Sequence, residues 1–279
     1  MKLGNFETNQ VYNIDCYKAI KELPDNCIDC IYVDIPYLYH QGGSGSSEIG
    51  ERTAKKHLEL MGLESDYLAS EGLNRREALR IAKNVKKTSI ELTSIEDGID
   101  YSILNEFVRV MKRVNIFIWC SKLQLLDIMN FFIGGGIQGK EINFELLIWN
   151  KTNPTPTTNN SWLPDIEYCL YFREKGVPLN NGYELKSKCF VSPANTRDKD
   201  RYNHPTIKPI ELVKRHLLHT TQPDDIVFDC YMGSGTSCVA AKDIGRQYIG
   251  FEIEKKWFDI AVDRLNQTDA NGQISLFLR

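Results

Sequence analysis

Ile226-Val227-Phe228-Asp229-Cys230-Tyr231-Met232-Gly233-Ser234-Gly235-Thr236 reads as a buried strand, Ile226–Asp229, that runs into a turn of small residues and then into a helix over 236–244. Glycine at 233 and 235 lets the backbone pass close to a ligand, and the start of the following helix offers free N–H donors. A second strand, 247–252, ends in Glu252, about the distance along the chain at which an acid meets ribose hydroxyls in nucleotide-binding folds. Cys238 stands where a dinucleotide fingerprint has its third glycine, which tells against a nicotinamide cofactor. A second helix over 254–265 follows, so the remaining strands of the sheet are expected from the N-terminal half.

That half supplies them. Residues 11–15 and 28–34 read as short buried strands around a helix at 17–23, and each ends in an aspartate, Asp15 and Asp34. In open parallel sheets ligands lie outside the carboxyl ends of strands, which places both acids where chemistry occurs. Asp34-Ile35-Pro36-Tyr37 forms the exit of the second strand. A loop-like run, Gln41-Gly42-Gly43-Ser44-Gly45-Ser46-Ser47, and a charged helical stretch then read as an insertion. Further elements are expected at 115–120, 123–132, 144–150 and 167–172, with 173–203 polar and irregular.

Composition narrows the class. The chain has 279 residues, 42% of them hydrophobic, enough to bury a sizeable core. No stretch approaches the roughly 18 apolar residues of a membrane span, and the N-terminus lacks the apolar core of a secretion signal, so a cytoplasmic setting is expected. Eight cysteines lie mostly in apolar runs, which favours buried thiols over a disulfide framework. Cys27 and Cys30 form an isolated pair without the second pair that a zinc site needs, and no metal is expected. A net charge of −3 confines any nucleic-acid contact to a patch. Arg75, Arg76, Arg80, Lys83, Lys86 and Lys87 face the single acid Glu77; they make either a solvated helix face or a phosphate-binding one.

The runs His204-Pro205-Thr206-Ile207-Lys208-Pro209, Asp229 to Thr236 and Tyr248-Ile249-Gly250-Phe251-Glu252, together with Asp34-Ile35-Pro36-Tyr37, resemble the signature of amino-directed DNA methyltransferases. The order, with the tetrapeptide first, resembles the β class. The resemblance implies a circularly permuted, doubly wound Rossmann-like α/β sheet with a helical insertion. The catalytic domain would comprise 1–40 and 101–266, the insertion 41–100 and a tail 267–279. It also implies S-adenosylmethionine as cofactor, held by Asp15, Cys16, Lys208, Asp229, Tyr231, Gly233, Ser234, Gly235, Thr236 and Glu252. Lys151, in a segment like the family's wall of the target-base pocket, joins the basic stretch as a DNA contact.

The chemistry of the tetrapeptide fits that family. An exocyclic amine conjugated with a base ring is a poor nucleophile, and acceptors that draw its N–H bonds out of plane restore its lone pair. The Asp34 carboxylate and the Ile35 carbonyl would be those acceptors, with Pro36 stiffening the turn and Tyr37 offering a stacking face. A paired base must first be flipped out, at a cost of a few kcal/mol that stacking partly offsets. Ile35 replaces the family's first proline, which is expected to loosen the loop. Aspartate in first position points to adenine in double-stranded DNA; methylation of cytosine N4 or of RNA, and a non-catalytic DNA-binding relative, are the alternatives. Gln273-Ile274-Ser275-Leu276-Phe277 resembles a peptide that docks on the bacterial sliding clamp, a homodimer is allowed, and a bacterial or phage origin with a restriction–modification role is implied.

Overall fold

The computed structural model describes residues 1–38, 98–135, 137, 139–154, 162–180, 182–195, 201–202 and 207–268. The chain falls into two compact units, Met1–Ile35 with Asp100–Arg279, and Pro36–Ile99. In the first unit a small hairpin, β1 (Lys2–Leu3) and β2 (Phe6–Glu7), precedes β3 (Gln10–Asn13), α1 (Cys16–Ala19) with a 3-10 turn, and β4 (Cys30–Asp34). Then come α2 (Ile103–Val110), β5 (Asn115–Cys120), α3 (Leu125–Ile133), β6 (Ile142–Lys151), β7 (Ile166–Glu174) and β8 (Cys189–Ser192). The last part is α4 (Ile210–Thr220), β9 (Ile226–Asp229), α5 (Thr236–Asp243), β10 (Gln247–Glu252) and α6 (Lys255–Thr268).

Eight strands form one sheet in the order β3-β10-β9-β4-β5-β7-β6-β8. From β3 to β5 all neighbours are parallel; β7 runs against β5 and β6, and β8 returns parallel to β6. The two strands that come last in the chain, β9 and β10, are thus inserted between β3 and β4, which come first. That is a doubly wound sheet whose chain starts at a permuted point. Central parallel strands are covered on both faces, and accordingly every residue of β5 and β9 is buried, as are four of the five in β4. On one face Tyr32, Phe117 and Trp119 pack with Leu212, Val213 and Leu217 of α4. Toward α3, Phe132 stacks on Phe172 with ring centroids 4.3 Å apart.

Several elements depart from the sequence reading. Asp15 is not the end of a strand: β3 stops at Asn13, and Asp15 caps α1, its carboxylate accepting the Tyr17 N–H at 2.9 Å. β8 lies inside the stretch expected to be irregular: the short run Cys189-Phe190-Val191-Ser192 is set within polar residues and becomes a strand by pairing with β6. The pattern Ile103, Leu104, Phe107, Val110 is an amphipathic helix buried on one side, α2, for which no element had been expected. Cys27 and Cys30 are both buried, Cys30 within β4 and Cys27 before it. No group of side chains suited to a metal ion occurs among the described residues. Nor does any described helix have the length and apolarity to cross a membrane.

Candidate active site at the carboxyl ends of the strands

Parallel pairing brings four acids to one edge of the sheet. Asp34 ends β4, Asp229 ends β9, Glu252 ends β10 and Asp15 lies two residues past β3, and these are four adjacent strands. Three inter-strand gaps of roughly 4.8 Å make the row about 14 Å long. With Ile31 opposite Phe228 and Gly250 opposite Asp229, register puts Asp34 and Glu252 at the same height, with Asp229 two residues short of it between them. Asn13 ties the far end together by donating to the carbonyls of Glu252 at 2.8 Å and Ile253 at 2.9 Å.

The glycine turn is built so that little else would fit. Gly233 and Gly235 have φ of 50° and 76°, the left-handed region that side chains disfavour. A Cβ on Gly235 would lie 2.8 Å from the Cβ of Ala261 in α6. Buried Arg264, also on α6, donates to the Ser234 carbonyl at 2.7 Å, the Ser234 hydroxyl at 2.9 Å and the Thr236 hydroxyl at 3.0 Å. Glu252 closes the turn from the next strand, accepting the N–H groups of Gly233 and Glu254, each at 2.8 Å. Burial raises the Glu252 carboxyl above its usual range.

Asp229 is enclosed. Its carboxyl accepts the Tyr231 N–H at 3.0 Å and a hydrogen bond from the Ser237 hydroxyl. Burial pushes it up to about 7, and the nearby charges of Asp34 and Glu252 add to that rise. A row of carboxylates, one of them hard to ionise, suits a ligand that brings positive charge. Beside it the Tyr231 hydroxyl donates to that of Tyr17 at 3.0 Å, joining the β9 loop to α1, where Cys16 is buried.

At the other end of the row Asp34 is held by Lys208. The buried ammonium lies 2.6 Å from Asp34 Oδ2 and 2.9 Å from Glu167 Oε2, and 5.1 Å from the centre of the Trp119 ring. Burial alone would lower the Lys208 pKa, but Asp34 and Glu167 reverse this and raise it. Glu167, on β7, is paired again through Oε1 with Lys151 at 2.5 Å. Burial would raise its carboxyl, yet Lys208 and Lys151 hold it down at about 2. Lys151, expected from the sequence as a DNA contact, directs its ammonium to Glu167, because β6 and β7 bring the two side by side.

Ile35 is anchored rather than loosened. Its N–H, which a proline would lack, donates to the Trp119 carbonyl at 3.2 Å, and its side chain is buried. Pro36 and Tyr37 begin the second unit. Arg75, Arg76, Arg80, Lys83, Lys86, Lys87, His204 and the tail at 273–277 lie outside the described residues. Trp149, two residues before Lys151 on β6, is buried and donates to the Ser192 hydroxyl at 2.9 Å. The sequence reading missed Glu167, Arg264 and Asn13. An arginine in an amphipathic helix and a glutamate in a strand look like surface residues until their partners are known.

Comparison with known proteins gives a consistent answer. The sequence profile of a family described as DNA methylase, of the N6/N4 type, matches residues 28–263. Type II methyltransferase M2.MboI of Moraxella bovis is 26% identical over 275 residues, spanning 92% of this chain and 87% of its own. Type II methyltransferase M.HinfI of Haemophilus influenzae is 23% identical over 291 residues, with coverage of 94% and 70%. Among solved structures, the M1.HpyAVI–SAM complex has a TM-score of 0.57 at 22% identity, covering 91% of this chain and 98% of that one. The cytosine-N4-specific PvuII DNA methyltransferase has a TM-score of 0.56 at 12% identity, covering 95% and 91%. At such identities the two structures speak for the fold.

Proposed function

The chain belongs to the N6/N4 DNA methylase family and is a methyltransferase dependent on S-adenosylmethionine; from that premise we propose that it methylates the exocyclic amine of adenine in double-stranded DNA. One observation carries the reading: Asp34 and the Gly233–Thr236 turn end adjacent parallel strands at the same edge of the sheet. When bound, S-adenosylmethionine supplies an electrophilic methyl group on a sulfonium. The acids fit such a cation-bearing nucleoside. Asp229 and the turn would hold its methionine portion, Glu252 its ribose hydroxyls, and Asp15 with Cys16 its adenine. Tyr231 would close the same side.

The Asp34 carboxylate and the Ile35 carbonyl would accept the two N–H bonds of the flipped base, turning the nitrogen lone pair toward the methyl group. Lys208 serves as a positioning residue that fixes the Asp34 carboxylate, and Glu167 fixes Lys208 in turn. No covalent intermediate is required, and alignment of the two substrates supplies much of the acceleration. Aspartate at position 34 favours adenine over cytosine.

Tritiated methyl transfer to DNA and RNA, followed by nucleoside analysis, tests this. N6-methyladenine in DNA is the expected product, with the rate falling roughly 10²- to 10³-fold in Asp34→Ala. N4-methylcytosine or labelled RNA would replace the adenine reading, and no transfer to any nucleic acid would favour a binding module. The type II methyltransferases among its relatives support a role in restriction–modification. Docking of Gln273–Phe277 on a bacterial sliding clamp is a further part of the proposal; it is lost if Leu276→Ala with Phe277→Ala leaves clamp affinity unchanged. Self-association as a homodimer is checked by sedimentation, where a constant monomer mass removes it.

A further inference from the structure

On the sheet face covered by α4 lies a cavity of about 190 Å³ that none of the proposed methyl-transfer residues lines. It is set toward the opposite strand ends from Asp34: Arg173, on its wall, pairs with Asn115 at the start of β5, whereas Asp34 pairs with Trp119 near that strand's end. Phe117 and Tyr171, stacked with centroids 4.2 Å apart, form part of the wall, with Leu179 and Leu185 on it as well.

A buried histidine faces this space. His216 of α4 is 5% exposed, lies parallel to Phe117 at 5.0 Å and lines the cavity. Its protonation follows from a chain of hydrogen bonds. The Trp119 indole N–H donates to the Tyr32 hydroxyl at 2.9 Å, and among the described residues the acceptor within reach of the Tyr32 hydroxyl proton is His216 Nδ1, 3.2 Å away. Nδ1 is then an acceptor and the ring proton sits on Nε2, which has no protein partner among the described residues. The ring is neutral, since burial, helped by Arg215 and His219, lowers its pKa to about 3. His216 thus brings a neutral ring with an N–H donor to the wall of a cavity that is partly aromatic and aliphatic and partly polar.

The remaining polar groups on the wall select the charge of a ligand. Lys188 is paired with Glu145, which removes both from the balance. Lys186 has no partner among the described residues, and Arg173 uses one guanidinium nitrogen on the Val177 carbonyl at 3.0 Å. Both lie near enough to His219, another wall residue, to lower its pKa after the effect of burial. Two cations and a neutral N–H donor, without an unpaired acid, favour an anion. A volume of this order accommodates one six-membered ring, since an apolar cavity of about 150 Å³ holds benzene.

We propose that this cavity is a second binding site, which takes a small aromatic carboxylate: the ring lies among Phe117, Tyr171 and the leucines, and the carboxylate accepts from His216 Nε2–H and pairs with Arg173 and Lys186. It is separate from the row of acids, which repels such a ligand.

Benzoate is the probe, with toluene as its neutral counterpart. Calorimetry on the full chain should give one saturable benzoate site, and the imidazole ¹⁵N spectrum should show the His216 Nε2 resonance moving along the same curve. Arg173→Gln with Lys186→Ala, the first half-buried and the second exposed, should weaken benzoate at least tenfold and leave toluene unchanged, with the melting temperature of the unliganded protein confirming the fold. A His216 resonance that does not move at saturating benzoate overturns the proposal. So does a benzoate affinity no greater than that of toluene, or one that the double variant leaves intact.

Discussion

Asp229 shows at the residue scale how the site stores a need for its ligand. The folded state keeps this buried carboxyl protonated up to about 7, against an ordinary value of 3.8. A raised folded value means that the contribution to stability is present below 3.8 and is lost as pH rises through about 7. Asp229→Asn should therefore stabilise the unliganded protein above pH 7, by at most about 4 kcal/mol, with the gain vanishing in acid. Denaturant unfolding between acid and mildly alkaline pH measures this; a gain that persists below the ordinary carboxylate range contradicts it. The same ionisation should govern the cofactor, whose affinity in the wild type should rise up to tenfold per pH unit below about 7 and become flat in the variant. Ile35 is the second telling residue. Ile35→Pro restores the family's proline but removes the N–H that bonds to Trp119, so stability should fall by about 1 kcal/mol while kcat stays within a few-fold, because the Ile35 carbonyl is kept. A collapse of kcat at unchanged stability would show that the isoleucine itself tunes the loop.

At the scale of elements, the glycine turn is a joint between β9 and two helices. Gly235 is pressed against Ala261 of α6, and Arg264, one turn further along, grips the turn by three hydrogen bonds. Gly235→Ala should cost about 2–3 kcal/mol, part from the left-handed backbone and part from the 2.8 Å contact. Adding Ala261→Gly removes only the contact, so the two changes should couple favourably by about 1 kcal/mol in a double-mutant cycle. Strict additivity would mean that α6 simply moves aside. The strands explain why Asp34 and Lys208 meet although 174 positions apart: β4 and β7 flank β5, and Glu167 on β7 supplies the second carboxylate that lets an ammonium be buried there.

At the scale of the molecule, a net charge of −3 confines any DNA contact to a local patch, and Lys151 is already paired with Glu167, so the basic stretch at 75–87 is the candidate to test. If Arg75, Arg80 and Lys83 contact phosphates, changing all three to glutamine should reduce the slope of log affinity against log salt by about 2–3. An unaltered slope returns the stretch to a solvated helix face. The sequence was most legible where chemistry is local. Asp229 to Thr236 and the strands at 226–229 and 247–252 could be read directly, since a tight turn needs glycine and a buried parallel strand needs an apolar run. Motif order, through the family it resembles, implied the permutation, and the late glycine turn does find its sheet neighbours in the early strands. What pairing creates was not legible: β8, which is a strand because β6 lies beside it; Ile35, whose N–H matters because Trp119 has a carbonyl in reach; and Lys208, Glu167, Arg264 and His216. A charged or polar side chain looks the same in sequence whether water or a buried partner satisfies it, and only the folded chain decides which, since the partner comes from a strand or helix distant in sequence.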